Sequence, residues 1–168
     1  MEKDLETIAR LAALKEQENC DFRQFVKFRL GIGSSRLRQI VRDATEFYQE
    51  QIKCEDCGNC CRILQPRLSR NDIRRLSKRL DMKAGAFVET YLEQDEEGLR
   101  IRELPCPFFD GGVCSVYEDR PAECRGYPYL NKDIAPRMWG VIDRSAQCPI
   151  VFNVLEDVKA AVRFRRRR

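Results

Sequence analysis

Apolar residues recur along the first third of the chain at the spacing of helix faces. Leu5, Ile8, Ala9, Leu11 and Ala12 form a stripe that predicts a helix from Leu5 to about Gln17. Phe22, Phe25, Val26 and Phe28 predict a second helix, opening at Asp21 as a cap and reaching Leu30. Gly31-Ile-Gly33-Ser-Ser then breaks the pattern. Ser34 or Ser35 can cap a third helix to about Ile52, whose stripe is Leu37, Ile40, Val41, Ala44, Phe47 and Tyr48. Residues 1–52 thus read as a helical hairpin or small bundle, with no chemistry of their own.

Beyond residue 53 the pattern is shorter and more varied. Ser69-Arg-Asn-Asp72 resembles a capping box with Asp in the usual Glu position, and it opens a helix to about Leu80. A short helix is expected from Ala84 to Leu92. Leu99-Arg-Ile101-Arg alternates like a half-exposed strand and could pair with Val113-Cys-Ser-Val116-Tyr across the Asp110-Gly-Gly112 turn. Met138 to Ile142 reads as a third, weak strand, and Val151 to about Phe164 as a closing helix. The expected fold is α+β and helix-rich, with loops and short strands gathered around a multi-cysteine metal site. Its parts are an N-terminal helical region, 1–52, a cysteine-cluster domain, 53–164, and a basic tail, 165–168.

Composition sharpens this picture at the cysteines. There are nine in 168 residues, eight of them between Cys54 and Cys148, and there is no histidine. The absence of histidine removes mixed Cys/His zinc sites and Ser-His-Asp or Cys-His catalysis. Met1-Glu-Lys-Asp-Leu-Glu opens with charges and lacks the apolar core of a signal peptide, and no apolar run is long enough for a membrane span. A cytoplasmic, reducing location is therefore expected, where dense thiols read as metal ligands before disulfides.

Cys54-Glu-Asp-Cys57-Gly-Asn-Cys60-Cys61 places four thiols within eight residues. Two-residue gaps let sulfurs converge on one centre. Adjacent side chains usually diverge, so Cys60 and Cys61 are expected to face different sulfur groups, or one of them to be free. Four more cysteines follow in distinctive settings: Cys106-Pro-Phe-Phe, Cys114-Ser-Val-Tyr, Arg120-Pro-Ala-Glu-Cys124-Arg and Cys148-Pro. Proline after Cys106 and Cys148 stiffens the chain beyond a ligand, as in some iron–sulfur segments. Gly58, Gly111 and Gly112 permit tight turns that aim sulfurs inward. Arg62, Arg120 and Arg125 flank the cysteines, where positive charge favours thiolate. Eight thiols fit two zinc ions, one four-cysteine iron–sulfur cluster with spare thiols, or two clusters.

The combined order CxxCxxCC, CPFF, CSVYEDRPAECRGYP and a late CP resembles the YkgJ-type cysteine-cluster family of zinc- or iron-chelating domains, over roughly Cys54 to Cys148. The resemblance implies metal ligation by Cys54, Cys57, Cys60, Cys61, Cys106, Cys114, Cys124 and Cys148, holding an iron–sulfur cluster or zinc. Cys20 lies outside the motif and is expected to be a small buried or helix-end residue. A related cysteine cluster occurs in flagellin lysine N-methylases. This leaves a cluster-dependent redox or methyl-transfer enzyme acting on a protein side chain, or a zinc-stapled interaction module, as alternatives to simple chelation. Gly31-Ile-Gly33 lacks the third glycine and the preceding strand of a dinucleotide loop.

Other residues carry lesser expectations. Tyr117, Tyr127, Tyr129 and Trp139 are expected to pack over the site. Asp72 belongs to a helix start and Glu118 to a polar turn. The formal charge of +4, from 31 basic and 27 acidic residues, offsets an anionic thiolate site better than it signals nucleic acid. The arginines at the end of the chain, from Arg163 on, read as a solvated tail or a dock for a protein partner. Nucleic acid is disfavoured, since neither a reading helix nor an aromatic–basic RNA signature accompanies them.

Overall fold

Asp4 opens the first helix, its carboxylate accepting the Thr7 N–H at 2.8 Å. The fold that follows is taken from a computed structural model describing residues 1–31 and 33–165. Ile32 and 166–168, most of the basic tail, lie outside the described residues. The chain divides into two units, 1–53 with 128–168 and 54–127.

The first unit is helical. α1 (Leu5–Leu14) and α2 (Glu16–Phe28) meet at Lys15, whose N–H reaches the Leu11 carbonyl. The first helix therefore ends earlier than its apolar stripe suggests. Asp21 lies inside α2 rather than capping it. α3 (Ser34–Gln51) is capped by Gly33 with no side-chain bond, so neither serine takes the capping role. α9 (Met138–Ser145) occupies the segment expected to be a strand. Its buried positions, Met138, Val141 and Ser145, follow helical and not alternating spacing, while Trp139 is exposed. α10 (Pro149–Ala161) starts with proline at its first position, where the missing N–H costs nothing, and is buried on most sides. It packs on α3, α9 and α1. Lys159, buried within it, is neutralised by Glu18 and Glu156, each at 2.6 Å.

The second unit holds seven of the nine cysteines. It contains α4 (Cys54–Cys57), α5 (Asn59–Ile63), α6 (Arg70–Arg79), α7 (Ala84–Tyr91) and α8 (Ala122–Gly126). The capping box is formed: Asp72 N–H bonds Ser69 Oγ at 3.2 Å, and Ser69 N–H bonds the Asp72 carboxylate at 3.0 Å. β2 (Gly98–Ile101) pairs antiparallel with β1 (Leu92–Asp95), not with the segment after residue 113. β3 (Phe109–Asp110) and β4 (Val113–Cys114) form their own hairpin across Gly111 and Gly112, both at positive φ. Closure of a two-residue hairpin loop is entropically cheaper than the longer loop from residue 101. Leu68, Ile73, Leu76, Phe87, Leu92, Ile101, Phe108 and Val116 make a buried apolar core, against which Cys106 and Cys114 pack. The cysteine loops thus rest on an ordinary hydrophobic core.

Among the described residues, no helix is long and apolar enough to cross a membrane.

Candidate metal centre

The CxxCxxCC segment is two short helices hinged at Gly58. Gly58 adopts φ +57°, and a Cβ there would stand 2.4 Å from Phe109 Cε2. Both facts require glycine. The hinge is stitched by Gly58 N–H to the Cys54 carbonyl (3.0 Å) and Cys61 N–H to the Gly58 carbonyl (3.1 Å). Arg62 lies 4.6 Å over the Phe109 ring and donates to the Cys57 carbonyl at 3.0 Å.

Main-chain bonds then bring the later cysteines in. Cys106 N–H donates to the Cys61 carbonyl at 2.7 Å. Cys114 stands opposite Phe109 in the β3–β4 register. Cys124 lies on α8, which is held through buried Asp72, whose carboxylate accepts Ala122 N–H at 3.1 Å. Arg75 donates to that carboxylate at 2.8 Å and to the Arg120 carbonyl at 2.7 Å. Glu123 accepts the Arg67 N–H at 2.8 Å. Arg75 and Glu123 went unnoticed in the sequence. Arg75 carried one usable signal, its position three residues after Asp72 on the capped helix.

The adjacent pair does not diverge as expected. Cys60 and Cys61 hydrogen-bond through their side chains, so both sulfurs belong to one group. That bond, with burial and the neighbouring Cys61 charge, pushes the Cys60 thiol up; the same bond pulls Cys61 down against burial and the charges of Cys106, Cys114 and Cys124. Burial, then Cys106, Cys60 and Cys114, push Cys124 up to about 12, with Arg120 opposing. Cys54 is raised by burial, Cys60 and Cys57. Cys106 and Cys114 are raised by burial, while their sulfurs accept the N–H groups of Phe108 and Val116, two residues on, which favours thiolate. These sulfurs repel one another on ionising, and a cation is what would let them ionise together.

Arg120 supplies some positive charge, lowering Cys54, Cys114 and Cys124. It stacks 3.3 Å over Tyr117, and its Nε is buried without a partner. An all-sulfur donor set, N–H groups aimed at two sulfurs and this orphaned donor fit a thiolate-bound metal or cluster. As placed, no three cysteine or carboxylate donors among the described residues close around a single ion. The arrangement is a converging set, not a closed cage.

The remaining expected residues are spread more widely. Cys148, buried, is the N-cap of α10, and Cys20 is a half-buried residue of α2; both belong to the first unit. Tyr129 and Trp139 also lie there, whereas Tyr117 and Tyr127 belong to the second unit. Arg125 donates to the Arg120 carbonyl, and Glu118 is exposed. No disulfide joins any described pair.

The CxxCxxCC family model, described as a putative zinc- or iron-chelating domain, matches residues 53–149. Comparison with curated proteins and with solved structures gives no match.

Proposed function

The chain belongs to the CxxCxxCC family of metal-chelating domains, and on that premise we propose that its ligands are Cys54, Cys57, Cys60, Cys61, Cys106, Cys114, Cys124 and Cys148. The observation that carries this reading is the gathering of Cys60, Cys61, Cys106, Cys114 and Cys124 in one unit, with Cys106 N–H on the Cys61 carbonyl at 2.7 Å and each thiol feeling the charge of its neighbours. Burying thiols together raises the cost of each ionisation, and a bound cation removes it by taking the place of their protons. Zinc would serve there as a closed structural centre, whereas iron with sulfide would add electron-transfer capacity. The backbone N–H groups of Phe108 and Val116 hold two sulfurs in orientation, and Arg120 offsets the accumulated negative charge.

The test is elemental analysis, acid-labile sulfide and visible absorption of anaerobically purified protein. Stoichiometric metal with protected thiols is the expected result. Brown protein with iron and sulfide identifies a cluster; colourless protein with zinc identifies a zinc centre. Cys61→Ser should lower the metal content and Cys20→Ser leave it unchanged. Substoichiometric metal with all nine thiols freely reactive would overturn the proposal.

A further inference from the structure

The first unit contains a cavity of about 430 Å³ that metal chelation leaves unused, its walls including Tyr129, Lys132, Arg137, Trp139, Gly140 and Arg144. Three cations line it and no carboxylate does. Among the described residues none of the three is in an ion pair. The nearest acid in sequence, Asp133, faces Arg38 at 3.9 Å and accepts the Ala135 N–H at 3.1 Å.

The cavity is built around Arg144. Its guanidinium lies against α9 at Gly140, where a Cβ would stand 3.0 Å from Nη1, a tight contact that glycine relieves. Arg144 also sits 5.4 Å over the Tyr129 ring, and its Nε is buried without a hydrogen-bond partner. Tyr129 itself holds φ +64°, a left-handed backbone that a ring-bearing residue adopts only when its surroundings enforce it. Arg137, Trp139 and Gly140 belong to the start of α9, which has no side-chain cap and no acid in its first turn. That helix end therefore adds positive potential to the three cations. Trp139 is 53% exposed and carries the Arg23 guanidinium at 4.5 Å.

We propose that this cavity binds a nucleoside phosphate, its phosphate held by Lys132, Arg137 and Arg144 and its base stacked on Trp139. Three unpaired cations call for a ligand bearing two or three negative charges, as phosphate esters do. The aromatic walls supply what free phosphate cannot use, a surface for a planar ring.

Trp139 is the sole tryptophan, so its fluorescence reports on the cavity. The protein as isolated, with its bound metal, is titrated with ADP, adenosine and inorganic phosphate. Saturable quenching by ADP with a Kd below about 1 mM is expected. Adenosine and inorganic phosphate should each bind at least about tenfold more weakly. Arg144→Gln should weaken ADP by about tenfold or more, with metal content and circular dichroism unchanged. Lys132→Gln, at an exposed position, gives the same reading should the Arg144 variant fold poorly. Absence of saturable quenching, phosphate binding as tightly as ADP, or indifference to both substitutions would each overturn the proposal.

Discussion

The Asp72 carboxylate accepts the Ala122 N–H at 3.1 Å, joining the first turn of α6 to the helix that carries Cys124. The same carboxylate takes Ser69 Oγ at 2.6 Å and Arg75 at 2.8 Å. A local cap has become the clamp of a distant loop. Replacing Asp72 with Ala removes the cap and the bonds to a charged acceptor, and should cost about 3 kcal/mol by chemical denaturation. Burial pushes its pKa up, but the bonds from Ser69, Arg75 and Ala122 outweigh burial and the net shift is downward from 3.8. The lowered pKa makes this stabilisation present above about pH 4 and lost as pH falls through the native value. The stability difference between wild type and Asp72→Asn should therefore shrink in acid. A difference independent of pH would contradict the clamp.

Gly58 is predicted to be intolerant of a side chain for two separable reasons. Gly58→Ala faces the left-handed φ and the Phe109 ring together, and should destabilise the second unit by about 2–4 kcal/mol. Combining it with Phe109→Leu should recover the steric part and not the backbone part. Complete recovery in the double variant would show that φ contributes nothing.

Arg120 is the cation set among the thiols. Arg120→Gln should lower metal affinity by about 10- to 100-fold in competition with a chelator, the range for groups that support ligands without touching metal. Loss of the positive charge removes the influence that lowers Cys54, Cys114 and Cys124. Arg120→Lys should recover part of the affinity. An unchanged affinity in Arg120→Gln would exclude this role.

Tyr48 reports on the packing of α3 against α10 in the first unit. Its hydroxyl donates to Asp157 at 2.8 Å, and burial, that bond and the Asp157 charge push the phenol from 10.0 up to about 12. A raised native pKa means stability that is complete below pH 10 and lost as pH rises toward 12. The advantage of wild type over Tyr48→Phe should accordingly fall across that window in urea unfolding. A constant difference would mean that the bond is absent in solution.

Local chemistry was legible along the chain wherever a few neighbouring residues decide the outcome. The capping box at Ser69–Asp72, the helix from residue 34, the closing helix behind Cys148-Pro and the need for Gly58 in the cysteine loop are of this kind. Each rests on periodicity, a hydrogen bond within four residues, or a positive φ. The helix over 138–145 was missed because five residues hold too little periodicity to separate a buried helix turn from a strand.

By itself, the sequence determined that this is a sulfur-rich, histidine-free chain whose cysteine spacing converges on metal chemistry. Tertiary structure alone decided that Cys60 and Cys61 share one thiol group and that β2 pairs with β1. It also decided that Asp72 reaches Ala122, and that Tyr129 and Trp139 line a cationic cavity of the first unit. The reason is physical: a cap or a turn is settled by bonds a few residues long. Which distant groups meet depends on how packed elements bury their apolar faces, and no local pattern records it.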